Sequence, residues 1–377
     1  EADSVIDATD KIVMPGLVDM HVHLREPGRE DKETIASATT AALKGGVTSV
    51  LAMPNTQPAI DCAKNVCLLK RIIKDMAKAN VFIAGAITVG RLGEELSAIP
   101  QLKKLGIVAI SDDGTSVESE ELMLMALKQA KAQKVLVISH CEDKSLSLKG
   151  VVNLGFTSTR MGLRGISQES EHKIVKRDIQ LAEKIGAPIH ITHLSCSESV
   201  EIIAKARKKG IRVTCDTAPH YFSLTEAAVL GYDTNMKVNP PLRSKEDMAS
   251  IRQGLKNGVI DAIASDHAPH TENEKDIEFE AAEFGTIGLE TELSVSITEL
   301  IHSGLLDWPG LVRKISLNPS RILGINKPSH QFQDSEGKLR NWCGGKGTLS
   351  IGQDADIVVV SADKEWTVKR EGFVSKS

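Results

Sequence analysis

Short runs rich in β-branched and aliphatic residues recur along the chain, separated by longer stretches whose apolar positions follow helical spacing. Eight such runs stand out: LVDMHVHL (17–24), TSVLAM (48–53), VFIAGAI (81–87), IVAISD (107–112), KVLVISH (134–140), PIHITH (188–193), RVTCDT (212–217) and DAIASD (261–266). Between them lie helix candidates such as DKETIASATTAALKGG, whose acidic start and Gly-Gly stop suit helix ends, and SESVEIIAKARKKG, with a Ser near its N-cap. Strand–helix alternation builds a parallel sheet, and eight units in one run predict an α/β fold of the TIM-type (β/α)8 barrel kind rather than an open sheet.

The ends break the alternation. VIDATDKIVMPG and GTLSIGQDADIVVVSAD read as extended segments with turn residues, expected to pair with each other in a small β-domain (1–14 and 347–377) beside a barrel of residues 15–325. Two-stranded ribbons are marginal alone, so this small domain reads as truncated. NKPSHQFQDSEGKLRNWCGGK (326–346) is polar and turn-rich without periodicity, and is expected to be a surface insertion or loop.

Composition narrows the function classes. With 377 residues, 41% hydrophobic and 25% charged, the chain can bury a large core. A formal charge of −4 leaves no basic face for nucleic acid or an anionic membrane. No apolar run approaches a membrane span and the first residues are acidic, which predicts a cytosolic protein. Six cysteines without CxxC spacing suggest neither a disulfide framework nor a thiolate zinc site.

The chemistry lies at the strand ends. His21, His23 and Arg25 alternate with apolar neighbours, so a period of two points them to one side, and the two imidazoles can reach one metal. Histidine or aspartate recurs at later strand ends: Asp112 and Asp113, His140, His193 and Asp266. Singly, each has an ordinary structural explanation, since Asp in DDG is a common turn former and a strand-end His can be hydrogen-bonded. Together they converge on the face where barrel active sites are built, and crowded carboxylates need a cation. Imidazole and carboxylate without thiolate suit Zn²⁺, with Mn²⁺ or Co²⁺ as substitutes. His21, His23 and Asp266 can hold a first ion, and His140 with His193 a second, with Asp113 as the candidate bridging carboxylate. His190, three before His193, is expected on the opposite side, packed against helices; His220 and His267 are read as neighbours of motif residues.

HVHLREPG, MPNTQPAID, SDDG, HCED, ITHLS, VNPPLR, SDHAPHT, GLET and NPSRILGI occur in the order that marks the type I bacterial dihydroorotases of the amidohydrolase superfamily, and the chain resembles them over nearly its whole length. The resemblance implies reversible hydrolysis of dihydroorotate to N-carbamoyl-aspartate, a step of pyrimidine biosynthesis. The attacking group would be a zinc-bound hydroxide, with His21, His23, His140, His193 and Asp266 as ligands and Asp266 as general acid/base. Many relatives bridge two metals with a carboxylated lysine on the fourth strand. VAISDDG offers none, and the chain looks like the branch in which an aspartate, here Asp113, takes that role, while Lys103 and Lys104 just before it are read as solvated. The resemblance assigns substrate contacts to Arg25, Asn55, Asn239 and His270, and by analogy to backbone groups around 285–288. A guanidinium fork suits the ring carboxylate; otherwise Asn55 would be a turn residue after Pro54 and Asn239 an extended residue before Pro240.

Two alternatives accompany this reading. Sister enzymes acting on hydantoin, dihydropyrimidine or allantoin rings typically lack the arginine of position 25 and carry the strand-four lysine. A catalytically silent homologue kept as a scaffold for aspartate transcarbamoylase would have lost ligands, and none is lost. The expected partners are a small-molecule substrate, a second copy in a homo-oligomer and, as a further option, aspartate transcarbamoylase.

Overall fold

A computed structural model describes residues 5–327, 331–333, 339–341 and 344–376. The strands, in chain order, are β1 (Ile12–Pro15), β2 (Leu17–Val22), β3 (Val47–Ala52), β4 (Asn80–Gly85), β5 (Ala109–Ile110), β6 (Leu136–Ser139), β7 (Val152–Asn153), β8 (Gly165–Ile166), β9 (Ile189–Ile191), β10 (Val213–Thr217), β11 (Ala262–Ile263), β12 (Gln331–Gln333), β13 (Leu339–Asn341) and β14 (Ile357–Val360). Each of the eight apolar runs contributes one strand to a parallel sheet ordered β2-β3-β4-β5-β6-β9-β10-β11. The sheet closes where Val22 bridges His267 and the His23 N–H donates to the His267 carbonyl at 2.9 Å. This is a TIM barrel, with helices between the strands.

Two apolar layers hold it together. Val18, Met20, Leu51, Phe82, Ala84 and Ile138 fill the barrel interior, with Leu323 and Ile325 from the C-terminal helix region packed among them. The outer layer sets Val50, Ile83, Val137 and Ile189 against helix residues such as Ile35, Val66, Leu127 and Ile179. Strand β2 changes face between them. Its register against β3 steps from Asp19↔Val50 to Val22↔Ala52, so three residue steps on β2 oppose two on β3. Such a bulge inverts the parity of the residues beyond it. Val18 and Met20 lie in the interior cluster, Val22 and Leu24 in the outer one, and His21 and His23 therefore turn inward at the rim.

One helix start differs from the sequence expectation. The helix Ile35–Lys44 starts after Thr34, whose side chain accepts from the Ser37 N–H, and its first turn carries no acid. Glu33 precedes the cap because it is wholly buried and faces His267 at 3.5 Å. The helix Ser197–Lys208 has Ser197 next to its N-cap residue Cys196, and the Ser197 N–H donates to Asp247 of a neighbouring helix at 2.9 Å.

Segments β1 and β14 pair antiparallel, Ile12↔Val360 through Pro15↔Ile357. Within 326–346, β12 and β13 form an antiparallel pair, while 328–330, 334–338 and 342–343 lie outside the described residues. Between β6 and β9 the chain adds short elements, including the parallel pair β7–β8, around a satellite apolar cluster of Val152, Met161, Tyr221 and Val238. Among the described residues no helix is long and apolar enough to cross a membrane.

Candidate active site

The strand-end residues gather at the C-terminal rim, and Asp113 lies in their middle. Its Oδ2 is 3.2 Å from His21 Nε2 and 3.3 Å from His23 Nε2, while its Oδ1 is 3.5 Å from His140 Nδ1 and 3.4 Å from His193 Nε2. Asp266 Oδ1 stands 3.5 Å from both His21 and His23. Two groups able to hold an ion result, His21–His23–Asp113 and Asp113–His140–His193, sharing Asp113. All five side chains are buried. Asp112, its neighbour in sequence, serves the backbone instead, accepting from the Ile87 and Thr88 N–H groups at 2.8 and 3.1 Å.

The donors fit a cation. His140 Nδ1 and His193 Nε2 point at each other across 2.8 Å, and His21 Nε2 and Asp113 Oδ1 are buried without a hydrogen-bond partner. Buried polar atoms are ordinarily paired, and so many acceptors aimed at one point need a positive charge. The imidazoles report the same imbalance. Burial opposes charge on His21, yet Asp113 and Asp266 outweigh it and lift the ring to about 10; likewise Asp113 and Glu142 outweigh burial and lift His140 to about 9. At His23 burial wins and the ring titrates below the ordinary value. His193 and Asp266 hold positive φ, 40° and 51°, a conformation side-chain-bearing residues avoid and one that recurs at functional sites.

Outer hydrogen bonds aim the rings. His23 Nδ1 meets Asn55 Oδ1 at 2.9 Å and His21 Nδ1 meets Thr192 Oγ1 at 2.7 Å. Glu142 Oε2 lies 3.5 Å from His140 Nε2 and accepts from Asn239 Nδ2 at 3.2 Å. Asn55 and Asn239 thus reach the site by way of His23 and Glu142.

Arg25 also reaches the rim, but not by strand parity. Strand β2 ends at Val22 and Arg25 sits in a left-handed turn at φ 61°, with its Nε–H donating to the Pro269 carbonyl at 3.0 Å and Nη2 3.2 Å from His270. Burial lowers its guanidinium to about 10, which leaves it charged at neutral pH. Lys32 Nζ lies 3.0 Å from His270 Nδ1, so Nε2 carries the ring proton and donates to the Phe284 carbonyl at 2.7 Å. Gly285, at φ 139°, packs where a Cβ would come within 2.9 Å of His270 Nε2.

Two residues, His190 and Lys103, differ from their sequence reading. His190 points into the barrel, not at helices: its ring meets Thr214 Oγ1 and Asp216 Oδ2, each at 2.8 Å. The parity argument failed because His193, in its left-handed conformation, no longer alternates with the strand. Lys103 is half-buried rather than solvated, and burial lowers its pKa. His220, read as a neighbour of motif residues, stands outside both metal-capable groups; it is buried, its Nε2 without a hydrogen-bond partner, and burial holds it down to about 4. Sequence reasoning passed over Glu142, Thr192 and Asp216. Asp216 was findable, for it lies near the end of the seventh run, where the strand-end rule applies as it does to Asp266.

The dihydro-orotase-like family matches residues 10–199. A dihydroorotase of Elusimicrobium minutum is 49% identical, covering 100% of this chain and 83% of its own length. The chain belongs to the dihydroorotase-like family. A dihydroorotase of Trichlorobacter lovleyi is 48% identical over 99% of this chain and 83% of its own. Among solved structures, an L-hydantoinase from Arthrobacter aurescens superposes with a TM-score of 0.85 at 25% identity, covering 100% of this chain and 82% of that one. The barrel fold is therefore shared with a hydantoinase.

Proposed function

We propose that this protein is a metal-dependent hydrolase of cyclic amides that interconverts dihydroorotate and N-carbamoyl-aspartate. The observation that carries the reading is Asp113 set between two histidine pairs with the Arg25 guanidinium at the same rim. His21, His23, Asp113 and Asp266 would hold one divalent ion and Asp113, His140 and His193 a second, Zn²⁺ being the ion this donor set suits. Such ions supply Lewis-acid polarisation of an amide carbonyl and make water more acidic.

The chain's own residues do the rest. Arg25 forks onto the ring carboxylate and fixes which face of the ring meets the rim. Asn55 and Asn239 border the substrate and supply neutral hydrogen bonds, while His270, its ring nitrogens engaged by Lys32 and the Phe284 carbonyl, borders it beside the Arg25 guanidinium. Asp266 takes a proton from the attacking water as the carbon–oxygen bond forms and returns it to the ring nitrogen as the carbon–nitrogen bond breaks. Arg25 is itself half-buried, which limits the screening of its guanidinium by solvent.

A substrate series tests the reading. Purified protein is assayed for metal content and for turnover of dihydroorotate, dihydrouracil and hydantoin, with dihydroorotate expected to be preferred; equal or greater rates on rings without a carboxylate would turn the assignment toward the hydantoinases. A homo-oligomer and an association with aspartate transcarbamoylase belong to the same reading, checked by light scattering and by co-purification.

A further inference from the structure

Beneath the rim one buried carboxylate is linked to both metal-capable groups, directly to one and through Thr192 to the other. Asp216 is wholly enclosed and accepts from the His193 backbone N–H at 2.6 Å through Oδ1. Its Oδ2 lies 3.1 Å from Thr192 Oγ1 and 2.8 Å from His190 Nε2, and Thr192 Oγ1 is 2.7 Å from His21 Nδ1. We infer that Asp216 is a positioning residue that orients one ligand in each of the two metal groups, His21 through Thr192 and His193 through its backbone. This rests on the two-ion reading above.

The chemistry of the chain of bonds fixes its direction. An ionised carboxylate only accepts, so the Thr192 hydroxyl proton points at Asp216. The hydroxyl oxygen is then left to accept from His21 Nδ1–H. That tautomer leaves His21 Nε2 with its lone pair free, facing Asp113 and Asp266, which is the form a metal ligand requires. The second arm does something different. His193 is bent into a left-handed conformation at φ 40°, and the bond from its N–H to Asp216 holds the backbone there, directing the ring toward Asp113 and His140. His190, itself held by Thr214, keeps the carboxylate from rotating away.

The Thr192 arm can be cut alone, and both arms can be cut together. Thr192→Val keeps shape and every charge but removes the hydroxyl; Asp216→Asn keeps an oxygen for the His193 N–H but turns an N–H₂ group toward Thr192. Asp216→Leu removes both arms. Apoprotein is titrated with Co²⁺ alone, in competition with a chromophoric chelator, with near-ultraviolet circular dichroism and Tm recorded in parallel.

Loss of an outer-shell partner typically weakens metal binding about 10–100-fold. Thr192→Val and Asp216→Asn are expected to weaken one Co²⁺ equivalent by that factor and spare the other, with Thr192→Ser behaving as wild type. Asp216→Leu is expected to weaken both equivalents. Wild-type affinities at both sites in Thr192→Val, or equal weakening of both, would overturn the inference, and neither result depends on Asp216→Leu folding. Wild-type protein that takes up fewer than two equivalents would instead overturn the two-ion reading on which it stands.

Discussion

Replacing Arg25 with methionine separates recognition of a substrate carboxylate from the chemistry at the rim. The Nε–H is already committed to the Pro269 carbonyl at 3.0 Å, so the side chain is anchored and only the terminal nitrogens remain to fork onto a carboxylate. Each charge-assisted bond contributes roughly 1.5–3 kcal/mol. At about 1.4 kcal/mol per tenfold, one such bond accounts for one to two orders of magnitude. Arg25→Met is therefore expected to lower kcat/KM for dihydroorotate by about that much or more. Methionine is a fair choice because any side chain bears the same backbone strain at φ 61°, whereas glycine would relieve it and confuse the comparison. Ring opening is followed by ultraviolet absorbance, with metal content measured on the same samples. Lysine should restore only part of the loss, having neither the Nε anchor nor two parallel donors. Dihydrouracil, which lacks the carboxylate, should be little affected wherever the parent turns it over. If Arg25→Met slows both substrates equally, or neither, Arg25 serves only to hold the 269–270 turn and the carboxylate argument falls.

Three further outcomes are expected. His21→Ala and His140→Ala should each abolish turnover and lower bound metal by elemental analysis; full metal content and full rate in both would remove the case for a metal site. With Asp113 as the bridge, intact-mass analysis should show no carboxylated lysine, and added bicarbonate should leave the rate unchanged, a bicarbonate-dependent rise counting against it. Glu292 is buried with Oε2 unpartnered, and burial together with the Asp19 charge raises its carboxyl well above 4.5, so the folded state keeps a proton that the unfolded chain has released. Stability from this group therefore falls as pH climbs above the ordinary glutamate value, and the Tm advantage of Glu292→Gln over wild type should widen between about pH 5 and 8; a difference that does not change with pH would contradict this.

The apolar runs along the chain were enough to place all eight barrel strands, because a strand buried on both faces must be apolar throughout and each run ends where the next helix begins. The same strand-end logic located His21, His23, Asp113, His140, His193 and Asp266, since a barrel collects those ends on one rim. The family motifs carried the substrate class. Local parity put His21 and His23 on one face, but only the bulge in β2 decided that this face is the inward one, and left-handed residues redirected Arg25 and His193 against the alternation. Pairings between distant residues were decided only by the closed barrel. Thr192 meets His21 across 171 positions and Asn239 meets Glu142 across 97. Nothing in the neighbourhood of either residue encodes the other. A side chain's identity and its period along the strand are properties of the local chain, but the hydrogen-bond partner that sets a tautomer, and the charge that lifts His21 to about 10, exist only once the strands have closed and excluded water from between them.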